Sequence, residues 1–402
     1  MSHDIDEAGQ WWICRRSRAA ACSASGRLRP LDIRFWCSAD SVAEYEDAGG
    51  VLKVVLGAGG TGGHVFPALA LGVEMRDLGI EVLWVGRESG LENKVAVENG
   101  FAFESLASAG FYGKDVGRKV EAAWLLCRGL MQAISLSRRV KPSGVVATGG
   151  FATAALLAAT EFGGTPYFLL EQNCIPGRVT SFFAPRARET FLAFPLANAV
   201  AKPHAKPLSG ANSVTGNPLR REFRRGERCD DGKTVLFIGG SLGAQALNVA
   251  ALDAAAALSN LNFIILTGRR DYEFTRSRVR SKNCELVEFT GHPEELYRKA
   301  TIAVSRAGGV VLSELVAFGI PAILIPFPYA TDRHQDANAE YLASVGAASV
   351  LDQSRLSGLT SLVHTLMDDA PRRRQMEAAA RSIAKPDAAA TIARRIQECL
   401  AA

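Results

Sequence analysis

Gly57-Ala58-Gly59-Gly60-Thr61-Gly62-Gly63-His64 is the stretch on which the reading of this chain turns. The apolar run Val51–Leu56 leads into it, and a helical pattern (Leu69, Val73, Met75, Leu78) leaves it, with Pro67 near the helix start. Strand, glycine-rich turn and helix N-terminus in succession bring backbone N–H groups close to a bound phosphate. The glycines admit a phosphate without Cβ clashes, and the helix end adds partial positive charge. By itself the motif also fits a dinucleotide fingerprint: a second strand, Ile80–Val85, runs into Gly86-Arg87-Glu88 and offers an acidic residue at about the required separation.

Working outward, strand and helix patterns alternate along the chain, which indicates a parallel α/β sheet. Strand-like runs are Val51–Leu56, Glu81–Val85, Ala102–Leu106, Gly144–Thr148, Tyr167–Leu170 and Glu189–Phe194, and the longest helical pattern is Arg118–Arg139. Prolines and glycines accumulate over Pro195–Asn217 and break the alternation. It restarts with Thr234–Ile238, Asn262–Leu266, Glu285–Phe289, Ile302–Ser305 and Ala322–Ile325. The second half again opens with strand, glycine loop and helix, at Gly239-Gly240-Ser241-Leu242-Gly243-Ala244. Two doubly wound, Rossmann-like domains facing a central cleft is the economical inference, with both glycine loops at the carboxyl ends of strands.

At 402 residues, 48% of them hydrophobic, the chain can bury more than one core. A net charge of +5 suits an anionic substrate or membrane surface and lacks the dense basic stripes of a nucleic-acid binder. The eight cysteines are scattered, without a CxxC pair or a histidine cluster, which argues against a zinc site or a disulfide framework. Residues 1–50 differ from the rest: three tryptophans, three cysteines and six arginines share no period, and the acidic start excludes a signal peptide. They read as a disordered N-terminal extension. Residues 142–160 are uncharged throughout, but Pro142 and Gly149-Gly150 divide them into a buried strand, a turn and an Ala-rich helix, so no membrane span is expected.

Further motifs follow the first in a fixed order: Thr148-Gly149-Gly150-Phe151, Glu171-Gln172-Asn173, Gly216-Asn217-Pro218-Leu219-Arg220, the loop at 239–244, Ser305-Arg306-Ala307-Gly308 leading to Ser313-Glu314, and Asp332-Arg333-His334-Gln335 with Asn338-Ala339. Together, over roughly residues 51–400, they resemble the MurG family of glycosyltransferase family 28, the UDP-N-acetylglucosamine:lipid I N-acetylglucosaminyltransferases. The resemblance implies a GT-B fold: an N-terminal acceptor and membrane-side domain (51–215), a C-terminal UDP-sugar domain (216–385), and a final helix (386–402) packing back towards the first domain. It implies inverting transfer of N-acetylglucosamine from UDP to the 4-hydroxyl of the muramyl sugar of lipid I, giving lipid II and UDP. The work is done peripherally at the cytoplasmic membrane face, with no tightly bound cofactor and no metal. Partners implied are UDP-N-acetylglucosamine, the undecaprenyl-diphosphate muramyl-pentapeptide, an anionic membrane surface and other cell-wall synthesis proteins, with no nucleic acid.

Residue by residue, the resemblance assigns the UDP-sugar to Thr61, Gly62, Gly63, Asn173, Arg220, Ser241, Thr290, the run Gly309, Val310, Val311, Leu312, Ser313, Glu314, and Gln335. Arg220 offers a permanent charge to the diphosphate, Glu314 accepts from the ribose hydroxyls, the Thr290 backbone reads uracil, and Gln335 addresses the sugar. The acceptor loop is Gly149, Gly150 and Phe151, and His64 is the candidate base or acceptor contact. The chain departs from the family pattern at Leu242, at Phe151-Ala152-Thr153-Ala154-Ala155 and at Arg333. Ordinary structural readings stand beside these: Arg220 as a surface ion pair, Glu314 as a first-turn carboxylate, Gln335 and Asn338 as helix-surface amides, Ser241 as an N-cap, His64 as a loop cap. For membrane contact, Val120, Trp124, Cys127, Met131 and Ile134 form a helical stripe near Lys114, Arg118, Lys119 and Arg128, preceded by Phe111-Tyr112-Gly113-Lys114. Competing classes are a hydrolysing epimerase, a nicotinamide oxidoreductase, a transferase to another lipid, and a non-enzymatic UDP-sugar-binding protein; turnover separates the last from the enzyme.

Overall fold

The computed structural model describes residues 51–108, 116–197, 208–224, 226–240 and 243–402, with the backbone alone for 116–123. The first lobe runs β1 (Lys53–Gly57), α1 (Gly62–Asp77), β2 (Glu81–Gly86), α2 (Leu91–Glu98), β3 (Ala102–Ser105) and α3 (Val116–Val140). It continues with β4 (Gly144–Ala147), α4 (Ala154–Gly163), β5 (Tyr167–Glu171), α5 (Arg178–Phe183), β6 (Glu189–Leu192) and β7 (Asn212–Val214). The second lobe holds α6 (Arg221–Arg224), β8 (Thr234–Ile238), α7 (Gln245–Ala257), β9 (Asn262–Leu266), α8 (Tyr272–Arg276), β10 (Cys284–Val287) and α9 (Pro293–Lys299). After these come β11 (Ile302–Ser305), α10 (Gly309–Phe318), β12 (Ala322–Leu324), α11 (His334–Ser344), β13 (Ala348–Val350), α12 (Leu359–Asp368), α13 (Ala370–Ile383) and α14 (Ala388–Ala401).

The strands of each lobe form one parallel sheet, in the orders β3-β2-β1-β4-β5-β6-β7 and β10-β9-β8-β11-β12-β13. Helices cover both faces, so central strands such as β8 (Thr-Val-Leu-Phe-Ile) are buried along their whole length and read as continuous apolar runs. In each sheet the strand order reverses once, between β1 and β4 and between β8 and β11. Those are the points where an open α/β sheet forms a ligand crevice. The four glycine-bearing motifs are the loops that leave these four strands.

Two edge strands, β7 and β13, lie outside the sequence expectation, β7 within the stretch read as a break. Each spans three residues and pairs on one side only, so neither needs the long apolar run that marks a central strand. The uncharged run 142–160 is divided into β4, a 3-10 turn at Phe151–Thr153 and α4, and among the described residues no helix is long and apolar enough to cross a membrane.

Packing ties the lobes into one unit. The last helix, α14, lies on the first lobe: Ile392, Ala393 and Ile396 join a buried cluster with Leu69, Leu71 and Met75 of α1 and Val54 and Leu56 of β1. A second cluster joins Cys174, Ala193 and Phe194 to Leu219, Phe223 and Leu312. Across the same boundary Arg221 and Arg224 of α6 pair with Glu74 of α1 at 2.8 and 2.7 Å.

Candidate active site

The loop from β1 into α1 and the loop leaving β4 meet at His64, in the first turn of α1. His64 Nδ1 lies 2.6 Å from the carbonyl oxygen of Thr148. A carbonyl can only accept, so Nδ1 carries the proton and Nε2 keeps its lone pair. Gly149 and Gly150 follow with φ of +88° and +82°, a left-handed course that folds the second loop around the imidazole. A Cβ built at Gly150 would stand 3.8 Å from His64 Nε2. Thr61 is exposed and caps α1 through its backbone, leaving its hydroxyl outside the cap. Phe151 is also exposed, at the lip of the second loop.

Glu171 at the end of β5 organises the next segment. Buried, it accepts from Asn173 N and Nδ2 at 3.1 and 3.2 Å through Oε1, and from Gly177 N at 2.9 Å through Oε2. Asn173 is thereby turned towards the second lobe, where its Oδ1 accepts from Asn338 Nδ2 at 3.0 Å. Asn338 also donates to the Ala307 carbonyl at 2.9 Å and accepts from Cys174 N at 2.8 Å. It is completely buried, a joint between the lobes and not the helix-surface amide the sequence allowed.

On the facing lobe, α10 begins at Gly309 with Gly308 as N-cap and no side-chain cap, so the N–H groups of its first turn have no intrahelical partner. Gly309 is where the two backbones touch: a Cβ there would fall 2.0 Å from the Gln172 carbonyl oxygen. Val310 and Val311 are half-buried in the first turn, Leu312 points into the core, and Ser313 donates back to the Gly309 carbonyl at 2.8 Å. Glu314 comes next and accepts from the buried Tyr297 hydroxyl at 2.7 Å. Burial pushes its carboxyl up to about 7, against the opposing pull of the Tyr297 hydrogen bond and the Arg220 charge.

Arg220 reaches this group from the start of the second lobe. It donates to the Gly291 carbonyl at 3.1 Å, lies 3.8 Å from Glu294, and places its guanidinium over Phe66 of α1 at 5.4 Å and Phe223 at 5.1 Å. Thr290 accepts from His292 N at 3.0 Å, and beside it Arg269 covers the exposed Phe289 ring at 4.5 Å. Gln335 uses Oε1 to hold Phe327 N at 2.9 Å and Ala307 N at 3.2 Å; its amide NH₂ has no partner among the described residues. Ahead of it, Asp332 and Arg333 both adopt left-handed backbone, and Asp332 faces Arg178 of the first lobe at 3.4 Å. Ser241, and with it the departure at Leu242, lies outside the described residues, as do residues 109–115.

Family models match both lobes: the glycosyltransferase family 28 N-terminal domain over residues 54–192 and the C-terminal domain over 234–392. The chain belongs to glycosyltransferase family 28. Among similar family members, the UDP-N-acetylglucosamine--N-acetylmuramyl-(pentapeptide) pyrophosphoryl-undecaprenol N-acetylglucosamine transferase of Methylococcus capsulatus is 39% identical, over 85% of this chain and 97% of that protein. The enzyme of the same name from Halothermothrix orenii is 34% identical, over 86% of this chain and 99% of its own. The crystal structure of MurG from Acinetobacter baumannii superposes with a TM-score of 0.70 at 28% identity, covering 86% of this chain and 99% of that one. A kitacinnamycin glycosyltransferase, 16% identical, shares the fold with a TM-score of 0.68. The family 28 architecture is thus the GT-B fold of two Rossmann-like domains.

Within this family 28 chain, sequence reasoning missed the residues that hold others in place. Glu171, Tyr297 and Asn338 act on Asn173, Glu314 and the lobe boundary, and their spacing carries no glycine or charge signature. A buried polar residue inside an otherwise apolar stretch was the one available signal, as for Tyr297 between Leu296 and Ala300. Among the described residues no group of three or more His, Cys, Asp or Glu side chains is placed to hold a metal ion.

Proposed function

We propose that this chain transfers N-acetylglucosamine from UDP-N-acetylglucosamine to the 4-hydroxyl of the muramyl sugar of lipid I, with inversion, yielding lipid II and UDP. Residues 51–215 are the acceptor and membrane-side domain, 216–385 the donor domain, and 386–402 return to the first. The observation that carries the reading is His64: its Nε2 lone pair is free of the Thr148 carbonyl bond, at the meeting of two glycine loops, in the lobe opposite Arg220, Glu314 and Gln335.

In this reading UDP lies along the first turn of α10, where Gly309, Val310 and Val311 direct N–H groups at the diphosphate and the helix end favours its charge. Arg220 approaches the same phosphates, Ser241 adds a donor, Glu314 accepts from both ribose hydroxyls, and the Thr290 backbone reads uracil. The NH₂ of Gln335 and the side chain of Asn173 face the transferred sugar. His64 Nε2 takes the proton of the attacking hydroxyl, a step worth roughly 10²–10⁴-fold. Stabilisation of the leaving diphosphate and positioning of the acceptor by Thr61, Gly62, Gly63 and Gly149–Phe151 supply the rest. The chemistry needs no metal or tightly held cofactor. The protein docks peripherally on the cytoplasmic membrane face through α3, where Trp124 and Met131 are exposed at 60% and 67% and Arg128 lies 5.7 Å from the Trp124 ring.

UDP release from UDP-N-acetylglucosamine, with and without a short-chain lipid I analogue, tests this. Acceptor-dependent release with a disaccharide–diphosphate–lipid product is expected, falling on the order of 10²-fold or more in His64→Ala. Release that ignores the acceptor indicates hydrolysis or epimerisation, and tight UDP binding without turnover indicates a sensor.

A further inference from the structure

One buried carboxylate of the first lobe takes no part in the site described above. Glu92, in the first turn of α2, is completely buried. Its Oε1 accepts from Arg87 N at 2.9 Å and faces Arg87 Nε at 3.4 Å, while Oε2 has no partner. A carboxylate is costly to bury, and half of this one is unsatisfied. The backbone nevertheless makes room for it from three directions. A Cβ at Gly86 or Gly90 would come within 2.3 Å of the Glu92 side chain, and one at Gly59 within 3.2 Å of its Oε1. The carboxylate is therefore built in against the first glycine loop.

What it holds is Arg87. β2 runs beside β1, with Gly57 opposite Val85 and Ala58 N donating to the Val85 carbonyl at 3.1 Å, so Arg87 leaves the sheet alongside Gly59. On the other side Leu106 N donates to the Gly86 carbonyl at 2.8 Å, where the chain leaves β3 on its way to α3. Arg87 thus stands at the rim between the His64 loop and the path to the helix that bears Trp124. Its side chain is 43% exposed, with Nε turned to Glu92 and no partner for Nη1 or Nη2 among the described residues.

We propose that Arg87, oriented by Glu92, binds the diphosphate of the lipid-linked acceptor. The inference rests on the transferase reading, in which a diphosphate joins the sugar at His64 to a lipid at the membrane and must cross this rim. A guanidinium whose Nε is occupied presents its two Nη groups as a planar fork suited to phosphate oxygens. Its charge also offsets that of Glu92, which otherwise repels an anion from the loop. Arg87 is the binding residue and Glu92 a positioning residue.

Steady-state kinetics of the full chain with UDP-N-acetylglucosamine and a short-chain lipid I analogue decide it, comparing wild type with Arg87→Ala, Arg87→Lys and Glu92→Gln. Arg87→Ala should raise the acceptor KM roughly tenfold or more, the worth of a charge-assisted bond, with the donor KM and the Kd for UDP within about twofold of wild type. Arg87→Lys should recover part of the loss, and Glu92→Gln should raise the acceptor KM selectively. If Glu92→Gln does not fold, the Arg87 pair still answers. An active wild type whose acceptor KM is unmoved by Arg87→Ala, or whose two KM values rise together, overturns the inference alone. A wild type without acceptor-dependent turnover overturns the transferase reading and the inference with it.

Discussion

At the scale of single residues, the site depends on which atoms are already engaged. His64 was visible in the sequence because it closes a glycine loop, yet nothing in that loop indicates which ring nitrogen is free. The answer comes from the Thr148 carbonyl, 84 positions away. Glu314 behaves similarly: its place after Ser313 is legible, but its pKa of about 7 arises from burial against Tyr297 and the lobe boundary. Because folding raises this pKa from 4.5, the stability it contributes is full below about 4.5 and is lost as pH rises through about 7. Ribose hydroxyls donate to the ionised form, so UDP should bind more tightly as pH rises through about 7 and release a proton there. Calorimetric titration of UDP across that range should show affinity falling by up to about tenfold per pH unit on the acid side. Glu314→Gln should flatten this slope, and a slope equal in both proteins would refute the assignment.

At the scale of elements, alternation of strand and helix patterns located most of the strands, because central strands buried on both faces must be apolar throughout. β7 and β13 escaped since edge strands of three residues carry little such pattern. The amphipathic α14 reads as a helix with an apolar face, and tertiary packing decides what that face covers. Ile392 and Ile396 are fully buried against the first lobe, far from their neighbours in sequence. Ile396→Ala should therefore destabilise the first lobe by about 2–4 kcal/mol, the usual cost of such a cavity. Urea unfolding followed by Trp84 fluorescence, whose ring lies in the same cluster, would detect it. Loss confined to second-lobe probes would contradict this packing.

At the scale of the molecule, the lobes are held by polar joints that local sequence does not announce. Asn338 alone bridges Asn173, Cys174 and Ala307 with three buried or half-buried hydrogen bonds. Asn338→Ala would leave buried backbone groups unpaired, at about 1–3 kcal/mol, and would loosen the orientation of donor and acceptor loops. A lower urea midpoint together with reduced kcat/KM for both substrates is expected; stable protein with wild-type kinetics would show that the lobes do not rely on this joint.

By itself the sequence determined the two parallel-sheet domains, the glycine loops at their strand ends and the family-specific order of the motifs. All of these follow from local rules, namely apolar periodicity, glycine where backbone approaches a ligand, and fixed spacing along the chain. Only the tertiary structure decided the His64 tautomer, the burial of Glu314, the burial of Glu92 beside Arg87 and the joint at Asn338. Each of those depends on groups brought together by folding, because hydrogen bonding, desolvation and steric room are properties of neighbours in space.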